Sequence, residues 1–554
     1  MKFTNKPLAQ TLIQLCLEKG INNIVISPGS RNAPLTIGFG AHPDIKSYSI
    51  VDERCAAFFA MGMAQQLKKP VAVLCTSGSA LLNYYPAVAE AFYSDIPLVV
   101  ISADRPAERI DIGDGQTIRQ ENVFKNHILY SANCLEGQDF QVKNETEINT
   151  ALNSAMELDG PVHINIPFSE PLYETTENQL VWPQNVAPRI ETETLKEDLT
   201  PFLKKWNASK RKMILVGVLE PNSLEQQFVE HLAKDDSVLV LTETTSNIHH
   251  KNYISAIDQL ISPLNADEFK ELQPDILLSF GGMVVSKRIK AFLRNSPPEE
   301  HWHVDSKKAY DTFFVLKHHF KTNINYFLSQ FLPKTAKVDS TYKKQWLSVK
   351  AHRLLRHKVY EEAIPYSDFM VFCEVFNQLP KNIQLQLSNS ATIRYAQLFN
   401  IDPSVQVFCN RGTSGIDGST STAVGAALAS ELPTVFLTGD VSFFYDSNAL
   451  WNNYIPKNFK IILVNNGGGG IFRILPGEKD SEVFDTYFET KHELNAKHLS
   501  AMYGFNYVSI DTKEELSTKL KDFFLQNEKP SLLEIFTPST LNDKVLLEYF
   551  EFIL

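Results

Sequence analysis

The sequence predicts an α/β protein built from three open, mainly parallel-sheet domains. The first observation is a series of short apolar runs separated by helical stretches, as at residues 71–75 and 98–102. Such runs are typical of parallel strands covered on both faces. The second observation is that the middle third of the chain repeats this alternation. The third is that the carboxy-terminal part repeats the order of motifs in the first part.

The first domain is expected over residues 1–180. Leu8, Leu12 and Leu15 recur at helical spacing and Gly20 follows them, so we predict a helix that ends near this glycine. Continuous apolar runs then predict buried strands. These runs lie at residues 23–27, 71–75, 98–102 and 162–166.

A polar stretch with several prolines, roughly residues 174–200, predicts a linker. The middle domain is expected after this linker, over residues 195–340. Gly281-Gly282 in this domain does not form the GxGxxG motif of dinucleotide-binding proteins, so we favour a structural role for the two glycines. The charged run at 334–356 leads into a third domain expected over residues 350–554. The strand candidates of the middle domain are residues 213–216, 238–241, 275–278 and 301–304.

The first and third domains share an internal repeat. In both, an aspartate precedes a helix with an Ala-x-Gly-x-Ala pattern, and an apolar strand and a polar turn follow. This self-similarity predicts two related α/β domains on either side of the middle one. The corresponding residues are Asp52, Ala60, Gly62, Ala64 and 76–78 in the first domain and Asp417, Ala423, Gly425, Ala427 and 438–440 in the third.

Composition excludes several classes of partner. The chain has 554 residues and a formal net charge of -11, which argues against nucleic acid or an anionic membrane and requires a local arginine cluster for any anionic substrate. Six cysteines lie far apart without a CxxC spacing, as expected of reduced thiols. Since neither a signal peptide nor a transmembrane stretch is visible, we expect a cytoplasmic protein.

Two polar turns in the third domain predict a site for a metal and a diphosphate. Gly439-Asp440 ends one predicted strand and Asn465-Asn466 ends the next, and ligands of open α/β sheets bind at such ends. A carboxylate, an amide oxygen and a glycine carbonyl suit Mg²⁺ that phosphate oxygens complete. Glycines at 467–470 would let the backbone approach the diphosphate. Gly-Asp alone would indicate an ordinary turn, but the paired spacing favours the metal site.

These turns resemble the metal and diphosphate signature of thiamine-diphosphate-dependent enzymes. The family has three α/β domains, of which the first grips the aminopyrimidine and the last the diphosphate. The resemblance implies thiamine diphosphate and Mg²⁺, or Mn²⁺ in its place, as cofactors. It implies metal binding by Asp440, Asn466 and Gly468, with Gly439 beside the diphosphate.

Two further residues match cofactor contacts of this family. Glu53, at the start of a predicted helix, matches the carboxylate that hydrogen-bonds N1′ of the aminopyrimidine and so promotes loss of the C2 proton. Ile416 matches the apolar residue that supports the bent conformation of the cofactor. The resemblance therefore implies that Glu53 is the catalytic carboxylate.

Longer segments resemble one branch of this family, the carboligases of the menaquinone pathway. The resemblance implies a transferase that decarboxylates 2-oxoglutarate and adds the resulting succinyl-semialdehyde carbanion to isochorismate. It also implies a homodimer or homotetramer whose sites are shared between subunits. The matching segments are 27–34, 52–54, 76–79, 102–106, 410–418 and 465–476, with a weaker match around 281 and 287–288.

Both implied substrates carry carboxylates, and the planar fork of arginine binds a carboxylate through two hydrogen bonds. Phe472 and Leu475 would line the acceptor pocket, with core packing of a short helix as an equal alternative. By the same resemblance the candidate substrate contacts are Ser30, Arg31, Arg105, Gln116, Lys287, Arg288, Ser390, Arg394 and Arg411.

Two other functions stay open at this point. Another thiamine-diphosphate 2-oxo-acid decarboxylase or carboligase, such as acetolactate synthase, would share the metal motif but has less need of so many arginines. A non-catalytic nucleotide-binding or regulatory protein would not need Glu53 together with Asp440 and Asn466. Simple decarboxylases of this class commonly have paired histidines in an early loop, whereas His42 stands alone here, which favours carboligation.

Overall fold

The computed structural model describes residues 2–189, 193–474, 479 and 481–554. Three separate parallel sheets follow one another along these residues, and helices flank each sheet, so the predicted α/β class is confirmed. No helix in the described ranges is long and apolar enough to cross a membrane.

The first domain contains a six-stranded parallel sheet. Its elements are β1 (Phe3–Thr4), α1 (Pro7–Glu18), β2 (Asn23–Ile26), α2 (Ala33–Ala41), β3 (Lys46–Ser49), α3 (Glu53–Leu67), β4 (Val71–Cys75), α4 (Ser79–Asn83), α5 (Tyr85–Ser94), β5 (Leu98–Asp104), β6 (Tyr130–Asn133), α6 (Gln141–Leu158), β7 (Val162–Pro167) and β8 (Thr175–Thr176). The strand order is β3-β2-β4-β5-β7-β6, and β1 pairs antiparallel with β8 outside this sheet. Every residue of β4 and β5 is buried, which explains their continuous apolar sequences.

The middle domain contains a five-stranded parallel sheet. Its elements are α7 (Thr200–Ala208), β9 (Lys212–Val216), α8 (Gln226–Lys234), β10 (Val238–Leu241), α9 (Ile257–Ile261), α10 (Ala266–Leu272), β11 (Ile276–Phe280), α11 (Lys287–Asn295), β12 (Glu300–Val304), β13 (His318–Phe320), α12 (Ile324–Phe331) and α13 (Tyr342–Ala363). The strand order is β10-β9-β11-β12-β13. The predicted strands are present, and the edge strand β13 adds one that the sequence pattern did not predict.

The third domain again contains a six-stranded parallel sheet. Its elements are α14 (Asp368–Gln378), β14 (Gln384–Leu387), α15 (Ala391–Ala396), β15 (Gln406–Cys409), α16 (Ser419–Ala429), β16 (Thr434–Gly439), α17 (Asp440–Tyr445), β17 (Lys460–Asn465), α18 (Ile471–Ile474), α19 (Glu482–Phe484), α20 (Lys497–Met502), β18 (Asn506–Ile510), α21 (Lys513–Leu525), β19 (Ser531–Phe536) and α22 (Asn542–Phe552). The strand order is β15-β14-β16-β17-β19-β18.

The two outer sheets have the same topology. If the six strands of each sheet are numbered one to six in chain order, their order across the sheet is 2-1-3-4-6-5 in both domains. Since α3 and α16 occupy equivalent positions before the third strand of their sheets, the internal repeat seen in the sequence is a repeat of the fold.

Helices α3 and α16 pack against each other through their glycines. A Cβ atom on Gly62 would lie 2.2 Å from the carbonyl oxygen of Thr422, and one on Gly425 would lie 2.0 Å from the carbonyl oxygen of Phe59. No side chain fits at either position, so the two backbones are in direct contact. This contact joins the first and third domains through a continuous apolar core.

A buried carboxylate adds polar bonds beside this contact. Asp446 accepts hydrogen bonds from the backbone N–H of Ser421 at 2.7 Å and from its hydroxyl at 2.8 Å, and the guanidinium of Arg54 lies 3.4 Å away. Burial raises the pKa of the Asp446 carboxyl to about 7. At the surface, Asn448 donates to Asp52 at 2.9 Å. The orientation of the two domains is therefore fixed by both packing and directional bonds.

We predict that Gly62→Ala destabilises the protein by about 1–3 kcal/mol, because the added methyl group forces the two helix backbones apart. Thermal unfolding followed by circular dichroism measures the change. Gly40→Ala is the matched control, since this glycine is also in a helix and a Cβ there meets nothing within 4 Å. Equal thermal midpoints for the two variants would contradict the close contact.

Candidate active site

Most of the predicted site residues follow the carboxyl ends of parallel strands. This is where open α/β sheets bind their ligands. Because all strands of a sheet run in one direction, residues that are distant in sequence meet along one edge. In the first domain Arg31 follows β2, Glu53 follows β3 and Arg105 follows β5, and in the third domain Ser390 follows β14, Arg411 follows β15, Asp440 follows β16 and Asn466 follows β17.

Glu53 is the first residue of α3. The side chain of Asp52 caps this helix by accepting from the backbone N–H of Cys55 at 3.1 Å, which fixes the direction in which the helix starts. The Glu53 carboxylate is half-buried and Asn83 Nδ2 lies 3.5 Å from its Oε2. The Glu53 side chain is thus placed on the strand-end edge of the first sheet.

Asp440 is the first residue of α17 and is buried. Its Oδ2 accepts from the backbone N–H of Gly468 at 2.9 Å, and its Oδ1 accepts from that of Val441 at 2.7 Å. His492 Nε2 lies 3.3 Å from Oδ2, and this carboxylate raises the pKa of the imidazole. The predicted metal ligand is therefore in place beside the glycine loop.

The glycine loop after β17 has a backbone that other residues rarely adopt. Gly467 has a φ of 76° and Gly468 a φ of 154°, and a Cβ on Gly468 would lie 2.6 Å from the carbonyl oxygen of Glu489. The backbone N–H of Gly467 donates to Asn465 Oδ1 at 3.1 Å. Glycine is required here for the loop to pass close to Asp440.

Asn466 contacts a buried carboxylate that the sequence reasoning missed. Its Nδ2 donates to Asp368 Oδ2 at 2.9 Å, and the hydroxyl of Thr537 donates to Asp368 Oδ1 at 2.5 Å. Burial, with Asp440 as a smaller contribution, raises the pKa of Asp368 to about 6. In the sequence, Ser367-Asp368 is an ordinary helix start, so no local signal marks it.

The donor set of this turn fits a metal that binds together with phosphate. Within the described ranges, no group of three His, Cys, Asp or Glu side chains could hold a metal ion alone. One carboxylate, one side-chain amide and one backbone carbonyl are hard oxygen ligands that leave room for phosphate oxygens. The residues present therefore fit Mg²⁺ carried by a diphosphate.

Three of the predicted substrate cations line one cavity between the middle and third domains. The cavity measures about 240 Å³, and Lys287, Arg288 and Arg394 contribute to its wall. Burial lowers the pKa of Arg394, and the nearby positive charge of Arg411 lowers it further. The guanidinium of Arg288 lies 4.8 Å from the ring centre of Phe550. Glu243 and Asp258 also line the cavity, but the three cations outnumber these two carboxyl groups, so the wall suits an anionic ligand.

The start of α11 holds two of these cations. Ser286 caps the helix by accepting from the backbone N–H of Ile289 at 3.1 Å, and the buried Glu243 accepts from the backbone N–H groups of Val285 and Ser286 at 2.7 Å each. Burial raises the pKa of Glu243 to about 7. Cations at a helix amino terminus oppose the helix dipole. Their placement here is better explained by anion binding than by helix stability.

Arg411 is supported by two residues that sequence reasoning missed. Its Nη1 donates to Asn389 Oδ1 at 2.7 Å. Glu90, from α5 of the first domain, accepts from the backbone N–H groups of Gly412 and Thr413 at 2.7 Å each. The sequence contains one sign of this role for Glu90, because it is a single charged residue on the buried side of an apolar helix. Without partners from another domain such a residue would be costly to bury.

Several of the predicted substrate arginines have buried nitrogen atoms that lack a hydrogen-bond partner within the described structure. Arg31 donates to the carbonyl oxygen of Phe168 at 2.8 Å and forms an ion pair with Glu170 at 3.0 Å. Within the described structure, the Nε atoms of Arg31, Arg105 and Arg411 are buried without a hydrogen-bond partner. Buried donors without partners are uncommon in folded proteins, and a bound anion would satisfy them.

The remaining predicted residues have diverse surroundings. Ser30 and Gln116 are exposed on loops of the first domain, and Ser390 adopts a φ of 69°, a strained backbone for a serine. The carbonyl oxygen of Ile416 accepts from Ser442 at 3.1 Å. Phe472 is exposed and packs on Phe488, whereas Ile471 and Ile474 from the same helix line the cavity. Leu475 lies outside the described residues.

The cavity contains only some of the predicted site residues. Its described wall comes from the middle and third domains, and none of the first-domain residues Glu53, Arg31 and Arg105 contributes to it. These three lie on the strand-end edge of the first sheet. Asp440 and Asn466 also lie outside the described wall of the cavity.

The three domains match three known families in the same order. Residues 6–128 match the family described as Thiamine pyrophosphate enzyme, N-terminal TPP binding domain. Residues 170–387 match Middle domain of thiamine pyrophosphate, and residues 390–535 match Thiamine pyrophosphate enzyme, C-terminal TPP binding domain. The three-domain fold is therefore that of a thiamine-diphosphate enzyme.

Relatives that match over the whole chain show which kind of thiamine-diphosphate enzyme this chain resembles. The chain is 58% identical to a 2-succinyl-5-enolpyruvyl-6-hydroxy-3-cyclohexene-1-carboxylate synthase of Christiangramia forsetii and 58% identical to one of Flavobacterium johnsoniae, with the whole of each chain covered. A synthase of the same name from Porphyromonas gingivalis is 37% identical, over 100% of this chain and 98% of the relative. The chain belongs to the 2-succinyl-5-enolpyruvyl-6-hydroxy-3-cyclohexene-1-carboxylate synthase family, as its sequence motifs predict.

Proposed function

We propose that the protein is a thiamine-diphosphate-dependent transferase that decarboxylates 2-oxoglutarate and adds the resulting succinyl-semialdehyde carbanion to isochorismate. The products are CO₂ and 2-succinyl-5-enolpyruvyl-6-hydroxy-3-cyclohexene-1-carboxylate, an intermediate of menaquinone biosynthesis. Whole-length identity of 58% to synthases named for this product carries the proposal. The cationic cavity is the structural feature that supports it.

The proposed cofactor-binding residues come from both outer domains, with the aminopyrimidine contact in the first and the metal and diphosphate contacts in the third. When bound, thiamine diphosphate supplies a carbon nucleophile and accepts the electrons released with CO₂. Glu53 would accept a hydrogen bond from N1′ of the aminopyrimidine, and its negative charge would favour the tautomer that can remove the C2 proton. Asp440, Asn466 and the carbonyl of Gly468 would hold Mg²⁺, or Mn²⁺ in its place, together with the diphosphate. Gly439 would contact the diphosphate.

The positive side chains select substrates with carboxylates. Ser390, Arg394 and Arg411 lie on neighbouring strand ends of the third domain and bind one anionic group there. Lys287 and Arg288 of the middle domain line the cavity that Arg394 also lines. The other proposed substrate contacts are Ser30, Arg31, Arg105, Gln116, Phe472 and Leu475. Ile471 and Ile474, from the helix that carries Phe472, add an apolar wall to the cavity.

We further propose that two copies of the chain share each site. The absence of first-domain residues from the described wall of the cavity supports this arrangement, because a second copy can supply the first-domain contacts. Large exposed apolar side chains support it as well, since a water-soluble surface rarely carries so many on one stretch of chain. They are Tyr445, Trp451, Val483, Tyr487, Phe488, Leu494 and Met502. Six buried free cysteines fit a cytoplasmic setting.

A direct assay tests the proposed reaction. The full chain is incubated with thiamine diphosphate, Mg²⁺, 2-oxoglutarate and isochorismate, and CO₂ release is measured alongside loss of isochorismate. We expect the two to proceed in equal amounts. Release of CO₂ with pyruvate rather than 2-oxoglutarate would instead indicate an acetolactate synthase type of reaction and would contradict the proposal.

Glu53→Gln should reduce turnover by at least about 100-fold while cofactor binding is largely kept, because the amide keeps a hydrogen bond but loses the charge that favours the reactive tautomer. Exchange of the C2 hydrogen of bound thiamine diphosphate for deuterium, followed by NMR, should slow as well. Glu18→Gln, an exposed change on α1, is the matched control. Wild-type exchange in Glu53→Gln would remove this residue from its proposed role.

Arg394→Lys and Arg411→Lys should weaken the use of 2-oxoglutarate by about ten-fold or more, because a single ammonium cannot form a two-pronged contact with a carboxylate. Affinity for thiamine diphosphate should change little. Steady-state kinetics and cofactor titration measure the two effects separately. Arg294→Lys is the control, since this arginine lies on α11 outside the described wall of the cavity and donates to the carbonyl oxygen of Thr312. Normal kinetics in both site variants would exclude them as substrate contacts.

Sharing of sites predicts complementation between two inactive variants. Glu53→Ala and Asp440→Ala chains are unfolded and refolded together, and reassortment is verified with two different affinity tags. In a mixed dimer one site carries both changes and the other carries neither. Because about half of the dimers are mixed, about a quarter of wild-type activity should return. If tagged chains reassort and activity stays at the level of the parents, each site must be built within one chain.

A further inference from the structure

We propose that Asp368 is a positioning residue that turns the amide oxygen of Asn466 toward the metal. This inference rests on the proposed function, in which Asn466 is a metal ligand. Asp368 itself would touch neither metal nor cofactor. It would act only by fixing the orientation of the neighbouring amide.

The geometry around Asp368 is well defined. It is the first residue of α14, and its buried side chain bonds residues that directly follow β17 and β19. Its Oδ2 accepts from Asn466 Nδ2 at 2.9 Å and its Oδ1 accepts from the hydroxyl of Thr537 at 2.5 Å. Its backbone N–H donates to Asn542 Oδ1 at 2.8 Å, which anchors the start of the helix. Both carboxylate oxygens are thus committed to donors.

An asparagine can bind a cation only through its oxygen, and rotation of the amide exchanges that oxygen for an NH₂ group. A carboxylate has no hydrogen to donate. With Asp368 on one side, the NH₂ group of Asn466 gains a bond when it faces Asp368, and the oxygen would be repelled there. The oxygen must then face the other way. Such outer residues commonly tune metal affinity by orienting the ligand.

The preceding asparagine provides an internal comparison. Asn465 Nδ2 also donates to a buried carboxylate, Glu534, at 2.7 Å. Its Oδ1, however, accepts from the backbone N–H of Gly467 at 3.1 Å. Among the described residues, no donor bonds the Oδ1 of Asn466. Two adjacent asparagines have the same kind of anchor, and only one has its oxygen available for a ligand.

Metal affinity tests the proposal without measuring turnover. Mn²⁺ is titrated into the full-length protein at saturating thiamine diphosphate, and free Mn²⁺ is followed by its electron paramagnetic resonance signal. Asp368→Ala should weaken Mn²⁺ binding by about ten-fold or more. Asp368→Asn should retain most of the affinity, since its oxygen can still accept from Asn466 while its NH₂ group donates to the Thr537 hydroxyl.

Two further variants distinguish loss of the Asn466 orientation from a general loss of order around the metal site. Glu534→Ala removes the matched buried carboxylate and should leave Mn²⁺ affinity close to that of the wild type. In an Asn466→Ala background, Asp368→Ala should cost no further affinity, because a residue that acts through Asn466 has nothing left to orient. Circular dichroism checks folding, and Asp368→Ser, whose short side chain cannot reach Asn466, replaces Asp368→Ala if the latter does not fold.

Asp440→Asn distinguishes failure of this inference from failure of the proposed function. If Asp440→Asn weakens Mn²⁺ binding and Asp368→Ala does not, the metal site stands and the positioning role is wrong. If neither change affects the affinity, the proposed metal site itself is wrong. Equal losses in Asp368→Ala and Glu534→Ala, or in Asp368→Ala and Asp368→Asn, would also overturn the positioning role.

Discussion

The backbone contact between α3 and α16 is the constraint on which the arrangement of the outer domains depends. Because Gly62 and Gly425 leave no space for a side chain, the two helices can neither slide nor rotate without a clash. Each helix leads directly into the third strand of its own sheet. One contact therefore fixes how the two sheets face each other, and with them the strand ends that carry Glu53 and Asp440.

Much of the fold could be predicted because its central strands are buried on both faces. β4, residues 98–101 of β5 and residues 461–464 of β17 are continuously apolar, so composition alone marks these strands. The metal and diphosphate turns followed from the same logic, since polar and glycine residues just after such strands lie at one edge of the sheet. The roles of Glu53, Ile416 and the substrate contacts were instead implied by the family resemblance. The repeated Ala-x-Gly-x-Ala pattern was seen as a sign of related domains. Its physical role, contact between the two copies, emerged only from the structure.

The elements and residues that were missed depend on tertiary partners. β14 contains two buried glutamines, Gln384 and Gln386, whose side chains bond Thr434 and Gln65. No local apolar pattern indicates such a strand. Asp368 is similar, because its bond to Asn466 joins residues that are far apart in the sequence. A buried polar group becomes intelligible only when its partner is known, and spacing along the chain does not supply the partner.

The bonds from Glu90 to the loop after β15 bear on how such enzymes can be recombined. The loop carries Arg411 of the third domain, yet a carboxylate of the first domain holds two of its backbone amides. A third domain grafted onto the first domain of another thiamine-diphosphate enzyme would bring Arg411 without this support. The recipient would need a glutamate at the same place on α5. The outer domains are two copies of one topology, but evolution and engineering must exchange them as a pair.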